Sequence, residues 1–532
     1  MGARPGGAVR APVPEGRYGR RAEPTEVGVA RRQGRVARLV AGGAAVACLA
    51  AACTTQPGGT STPNASSSAG TQASRTLAGK AMVACTISGE QPVKAQAAAL
   101  CGVLPVPEDR SRSDGRRVGL RVAVVPAVRA PSADPVFVLA GGPGDAATQF
   151  FAWLPSVFKD LHAARDIVLV DQRGTGSSNR LTLPQLPTLT GLSARAANAR
   201  LATWSSAALA SVDADPRFYT TTVAADDLDA VRAALGYTKI DLYGTSYGGT
   251  VAQYYLRQHG DRVRAAVLDG TTPVDVPVLE RIGRSSQAAL DLLFRRCAAD
   301  TTCHRAFPRL ATEWAALLQR FAHPVTVVDP ASGASQVVDK VMLAAAVHSA
   351  LLTEQGAAQL PLALHLAFRG RLLEAGRLIG TSDNPGPTLL MADEVTCSES
   401  WARYDPAEVA RQGEHSYALA RELALARQRQ MLCAHLPEGV VRPDDGAAVR
   451  TATPVLWVVG DGDPQDPPAN LGAVPAQQPH SRIVVVQAQQ HVVGHLGCVP
   501  AVIAAFLHAG SADGLDVSCI ARTAPAPAFR TR

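Results

Sequence analysis

From residue 117 to residue 268 short apolar runs alternate with amphipathic stretches. Residues 117–125 alternate in strand fashion, with Leu120, Val122 and Val124 on one face. Residues 136–140 read as a buried strand ending in Gly141-Gly142-Pro143-Gly144, and residues 167–170 as another ending in Asp171-Gln172-Arg173-Gly174-Thr175-Gly176. A helix is predicted from the capping Thr222, with Asp226 and Asp227 in its first turns. Leu228, Val231 and Leu235 share one face of it, and Gly236 stops it. A third strand, 240–243, leads into Gly244-Thr245-Ser246-Tyr247-Gly248, followed by a helix to His259 and a strand at 265–268. Repeated strand–helix alternation predicts a mostly parallel sheet covered on both faces.

That pattern breaks near residue 276. From there to about 445 the period is helical, with helices predicted at 286–297, 310–321, 341–352, 357–378 and 407–433. Strand patterns return at 455–459 and 483–486, and a last helix at 499–509. The economical reading is one α/β domain, 81–275 and 446–522, interrupted by a helical cap at 276–445 and followed by a tail at 523–532.

Composition sharpens this at the N-terminus. The 532 residues are 47% hydrophobic and 18% charged, with a net charge of +7. That balance excludes a disordered or fibrous chain. Nine Arg and three Glu fall within residues 1–53, so six of the seven net charges sit there and no nucleic-acid surface is indicated. Arg31, Arg32, Arg35 and Arg38 precede a run of apolar and small residues, 39–52, that meets Cys53. This predicts an export signal at 1–53, with Met1 as an upstream start. Leu49-Ala50-Ala51-Ala52-Cys53 resembles a lipoprotein cleavage box, making Cys53 a candidate lipid anchor, and ordinary cleavage the competing outcome. Arg31–Arg32 is a candidate twin-arginine signal. Ser, Thr, Gly and Pro dominate residues 54–80, predicting a flexible tether. With Cys48 and Cys53 in the signal, eight cysteines remain for an oxidising compartment. Their sequence-local order predicts the pairs Cys85–Cys101, Cys297–Cys303, Cys397–Cys433 and Cys498–Cys519. Zinc is disfavoured because no C-x-x-C or H-E-x-x-H occurs.

The candidate chemistry centres on Ser246. G-x-S-x-G alone is cheap, arising by chance about one time in four in such a chain. Here it stands between a strand end and a helix start, where a nucleophile elbow must be. The amide of Tyr247 then faces a developing oxyanion, and a second donor is expected from the Gly141–Gly142 loop, where a backbone can approach a carbonyl closely. A weakly nucleophilic serine needs a base held by an acid, in the order Ser, acid, His. Asp463, after the 455–459 strand, is the candidate acid, with Asp461 and Asp466 as rivals. The loop after 483–486 holds two candidate bases, His491 and His495. Arg173 is read as a tie between loops.

Gly141-Gly142-Pro143-Gly144, Asp171-Gln172-Arg173-Gly174-Thr175-Gly176-Ser177-Ser178 and Gly244-Thr245-Ser246-Tyr247-Gly248-Gly249 together resemble exported bacterial α/β-hydrolases of the proline iminopeptidase and tripeptidyl aminopeptidase group. The likeness runs from about Cys101 to Cys519. It implies the α/β-hydrolase fold with a helical cap, a cap disulfide at Cys297–Cys303, and Asp463 as the acid. It selects His491 as the base, because that residue stands seven before Cys498. It also implies that an acidic residue just after Cys397, Glu399, receives the substrate amine. Trp401 is then a candidate pocket wall, and Asp393 and Glu394 are the fallback acids. The chain departs from the group at Ala140, Gly249 and Gln490.

The implied activity is a serine aminopeptidase with no metal and no organic cofactor. Its substrate is a peptide or small acyl compound, and a lipidated Cys53 is its membrane tether. An esterase with the same triad and a non-catalytic envelope lipoprotein are the alternatives.

Overall fold

The computed structural model describes residues 75–532, apart from 90–95, 130–133, 154, 188–192, 334 and 380–387. The export signal, Cys48, Cys53 and most of the tether lie outside the described residues. No helix among those described is long and apolar enough to cross a membrane.

Nine strands form one sheet: β1 (Val83–Ser88), β2 (Gln96–Pro107), β3 (Arg117–Val125), β4 (Val136–Leu139), β5 (Ile167–Val170), β6 (Ile240–Thr245), β7 (Val263–Asp269), β8 (Val455–Gly460) and β9 (Ser481–Val486). Their order is β9-β8-β7-β6-β4-β5-β3-β2-β1. Strands β4 to β9 pair in parallel, and β1 to β3 add an antiparallel flank. Successive side chains of one strand enter opposite layers: Val122 and Val124 pack in one core cluster, Ala123 and Val125 in the other. This is why β5 and β8 are buried along their whole length and carry apolar runs rather than an alternating pattern.

Two helices of the core position chemistry, α1 (Thr221–Ala234) and α2 (Tyr247–His259). The segment after residue 276 carries α3 (Val278–Ala299), α4 (Thr301–Ala306), α5 (Leu310–Arg320), α6 (Lys340–Leu351), α7 (Glu354–Phe368), α8 (Leu372–Leu378), α9 (Leu390–Val395), α10 (Pro406–Gln412) and α11 (Leu419–Cys433). It has its own apolar cluster around Leu290, Trp314, Phe321 and Leu360. All four disulfides pair as the sequence-local order predicts.

Four expectations need correction. The tether reading fails at its end, because Thr76–Leu77 pairs with Lys80–Ala81 and Leu77 is buried. The segment 276–445 also contains a two-stranded hairpin, Val325–Val328 with Ser335–Val338. The single helix expected at 357–378 is two, broken at Gly370, whose φ of +86° no helix interior accepts. The helix expected at 407–433 breaks around Gly413, where α10 ends. The 523–532 tail is docked: the Arg530 amide donates to the Ala358 carbonyl at 2.9 Å, and Phe529 packs against the insertion's cluster.

Candidate active site

Ser246 stands between β6 and α2 with φ +51° and ψ −124°, a conformation that non-glycine residues rarely adopt. The turn closes so tightly that only glycine fits around it. A Cβ on Gly244 would lie 2.4 Å from the Gly248 carbonyl oxygen, and one on Gly248 would lie 2.1 Å from the Leu139 oxygen. Gly249 is equally confined, since a Cβ there would meet Thr271 Cγ2 at 2.5 Å. Thr271 thus leaves no room for a side chain at Gly249, one of the positions where the chain departs from the group it resembles. Tyr247 occupies the first position of α2, where backbone amides have no partner within the helix. Gly141 lies against the nucleophile, its absent Cβ only 3.2 Å from that of Ser246.

The loops after β8 and β9 bring Asp463 and His491 together. Asp463 Oδ2 meets His491 Nδ1 at 2.7 Å, while Asp463 Oδ1 accepts the amides of Gln465 and Asp466 at 2.8 and 2.9 Å. Asp466 approaches the same ring nitrogen at 3.8 Å, and its Oδ1 accepts the Thr272 hydroxyl at 2.6 Å. Burial alone would depress the His491 imidazole. The charge and hydrogen bond of Asp463, with Asp466 and Asp269 behind them, outweigh it and push the ring up to about 9. Burial, then the charge of Asp463, lifts Asp466 in turn. Asp463, Asp466 and His491 offer donor atoms within 4.8 Å of one another, as a cation site would. Asp463 is committed instead to the imidazole and two amides, which suits it to orient a base.

Asp269, at the end of β7, is the residue sequence reasoning missed. Its carbonyl accepts the Ser246 amide at 2.9 Å. Its carboxylate accepts the Val493 and Gly494 amides at 2.8 Å each and the Tyr243 hydroxyl at 2.8 Å. One buried residue, through its carbonyl and its carboxylate, therefore ties the elbow to the loop carrying His491. Its position in Leu268-Asp269-Gly270, an acid closing an otherwise apolar strand, was the available signal.

A cavity of about 250 Å³ opens between these core loops and the insertion, reaching Ser246, Tyr247 and Gly142 on one side and Glu399 on the other. Glu399 rides a single π turn, Thr396–Ser400, that continues α9. The turn also bears Cys397, which is bonded to Cys433 at the end of α11. Glu399 is buried, and its Oε1 accepts the Thr221 amide at 2.6 Å. It thereby caps α1, where Thr220 makes no side-chain cap of its own. Burial raises the Glu399 carboxyl to about 8, against the opposing pull of the Thr221 hydrogen bonds. Thr221 Oγ1 in turn meets the Tyr247 hydroxyl at 2.7 Å, linking Glu399 to the elbow.

The remaining candidates lie elsewhere. His495 pairs with Glu354 at 3.0 Å, and Asp461 accepts the Ala488 amide. Trp401 does not line the cavity; it stacks at 4.3 Å behind Tyr404, which does. Glu394 accepts the Ser398 hydroxyl at 2.8 Å and, like Asp393, stays outside the cavity wall. Arg173 is fully buried, donating to both oxygens of Asp227 and to the Glu108 and Phe218 carbonyls, a tie between loops.

A family model described as the alpha/beta hydrolase fold matches residues 134–497. Serine protease Hip1 of Mycobacterium tuberculosis and of Mycobacterium bovis is 30% identical over 244 residues, 41% of this chain and 45% of theirs. The chain thus spans less than half the length of the curated relatives it matches. Among solved structures, the proline iminopeptidase of Mycobacterium smegmatis is 17% identical with a TM-score of 0.33, covering 77% of this chain and 98% of that one. A thermophilic esterase from Thermogutta terrifontis is 16% identical with a TM-score of 0.34, covering 77% and 99%.

Proposed function

The chain belongs to the alpha/beta hydrolase fold family, and within it we propose an exported serine aminopeptidase that releases short N-terminal units from peptides. Ser246 gives its proton to His491 Nε2 as it attacks the scissile carbonyl, and the oxyanion rests on the amides of Tyr247 and the Gly141–Gly142 loop. Asp463 holds Nδ1, so that Nε2 is the free basic nitrogen. His491 then protonates the leaving amine, and water, deprotonated by the same ring, releases the acyl group from Ser246.

Glu399 supports the peptidase half of this reading: a buried carboxyl in the same cavity as Ser246. An α-ammonium drawn into a partly desolvated cavity costs several kcal/mol unless a carboxylate meets it. Glu399 is raised toward 8 because its own charge is unsolvated in the cavity, so an arriving ammonium would stabilise the ionised form. The Hip1 proteases are in keeping with a peptide substrate. Four disulfides fit an oxidising, extracytoplasmic setting. Release by signal cleavage or anchoring through Cys53 rests on residues outside those described.

The test compares aminoacyl- and tripeptidyl-anilides with short-chain neutral esters, on the wild type and on Glu399→Gln. Selective loss on the free-amine substrates is expected. Equal loss on both classes, or none on either, would move the assignment to an esterase. Failure of Ser246 to react with a fluorophosphonate would leave only a non-catalytic binding role.

A further inference from the structure

We propose that Arg429 forms an anion-recognising subsite in this cavity, one that takes a carboxylate carried by the substrate. The inference deepens the aminopeptidase reading and rests on it for the peptide, though not for the carboxylate.

Three cations line the cavity, Arg403, Arg421 and Arg429. Two of them are spent on the protein. Arg403 donates to the carbonyls of Glu399 at 3.0 Å and Val274 at 3.1 Å and lies 3.5 Å from Asp445. Arg421 pairs with the buried Glu422. Arg429 differs: among the described residues no acceptor hydrogen-bonds its guanidinium and no carboxylate reaches ion-pair distance. Burial pulls its affinity for a proton down, and the charge of Glu422 only partly offsets this. A half-buried guanidinium without a partner is an unfavourable arrangement that an arriving anion would relieve.

Position favours the same conclusion. Arg421, Leu425 and Arg429 recur every four residues on α11 and all face the cavity, so Arg429 is held there by the helix itself. The C-terminal end of that helix is bonded through Cys433 to the turn bearing Glu399. The cavity therefore presents a carboxyl at Glu399 and an unspent guanidinium at Arg429. This arrangement suits a ligand with an ammonium and a carboxylate. The planar fork of a guanidinium matches a carboxylate in two parallel hydrogen bonds. A phosphate has the same geometry but twice the charge. It would face Glu280, Glu399 and Glu422, which also line the cavity, so the singly charged carboxylate is the better occupant.

The carboxylate has two possible sources: an acidic side chain within the peptide, or the free C-terminus of a short one. Binding to the Ser246→Ala protein separates them without turnover. Glu is moved through each position of a free-amine tetrapeptide against Gln, and each peptide is measured with a free and an amidated C-terminus. About tenfold tighter binding is expected for Glu over Gln at one position, or for the free over the amidated terminus. Arg429→Met should erase that preference, Arg429→Lys should retain part of it, and Arg429→Glu should transfer it to Lys. An unchanged melting temperature excludes misfolding in each variant.

If N-acetylation weakens binding but neither comparison shows a preference, the subsite is wrong and the aminopeptidase reading survives. If no peptide binds, that reading fails. The subsite is then judged on glutarate monobutyl ester against the methyl butyl diester, hydrolysed by the wild type and by Arg429→Met. Equal rates for the two esters in the wild type would overturn it.

Discussion

The sheet and the helical insertion contribute to the same cavity by opposite means. On the core side each reacting group sits at a strand end, in backbone that the packing leaves no freedom to change: Ser246 at φ +51°, walled by glycines that cannot become alanines. On the insertion side, Glu399 and Arg429 are carried by a π turn and a helix face, joined by a disulfide that closes 36 residues of sequence separation. In the proposed enzyme the first arrangement fixes the reaction and the second selects what approaches it. Changes to the core should therefore lower every activity together, and changes to the insertion should divide one substrate class from another.

The largest effects test the core half of that contrast. Ser246→Ala and His491→Ala should each lower kcat by about 10⁴–10⁶ on peptides and esters alike, with melting temperature unchanged, and Asp463→Asn somewhat less. Full activity in His491→Ala with an inactive His495→Ala would reverse the assignment of the base. Glu399→Gln should lower kcat/KM for free-amine peptides by about 10²-fold, the loss of a buried charge-assisted pair, and leave neutral esters nearly untouched. With its carboxyl raised toward 8, Glu399 is expected to be largely protonated at pH 7 before substrate binds, so binding an ammonium should release a proton. Calorimetry in buffers of different ionisation enthalpy measures that release, and Glu399→Gln should abolish it.

The same contrast explains what could be read in the chain. Strands β5 and β8 and the helices ending at His259 and Ala509 are legible, because a doubly covered parallel sheet demands short apolar runs closed by glycine turns. The candidates Ser246, Asp463 and His491 follow, since strand ends are where such a sheet exposes chemistry. The insertion obeys a looser rule. An amphipathic period runs through Arg369-Gly370-Arg371 without announcing the break, and only the left-handed backbone of Gly370 reveals two helices. Trp401 reads as a pocket wall because aromatics often are, yet Tyr404, three residues on, takes that place and Trp401 stacks against it. Asp269 escaped notice because its importance lies in partners more than 200 residues away.

A smaller effect sharpens the electrostatics of the core. An unperturbed histidine gives an acid limb near pH 6.5, the value sequence alone suggests. Two carboxylates around Nδ1 stabilise the imidazolium, which moves the limb upward, toward 9 in the free enzyme. Removing one of those charges must move it back. Asp466→Asn keeps Asp463 in place and should shift the kcat/KM limb down by about one pH unit. Deletion of a group involved only in folding would lower the plateau and leave the midpoint where it was.

The smallest effect concerns the seam between the two regions. The chain leaves the core after residue 522 and runs back onto the insertion. Gln489, two residues before His491, donates to the Pro525 carbonyl at 2.7 Å, and Arg296 of α3 donates to that of Pro527 at 2.9 Å. The Arg296 guanidinium also lies 5.0 Å over the Phe529 ring. Phe529→Ala removes that ring and its apolar contact but none of the backbone hydrogen bonds, so about 1 kcal/mol is at stake. Because the tail bridges insertion and core without touching the cavity lining, the loss should appear in how the insertion melts. Hydrogen exchange in α3 and α7 should quicken by about fivefold, as 1 kcal/mol dictates, while β6 and β8 keep their protection. Equal acceleration in strands and helices would mean that sheet and insertion open as one unit, and that the division drawn between them holds for chemistry alone.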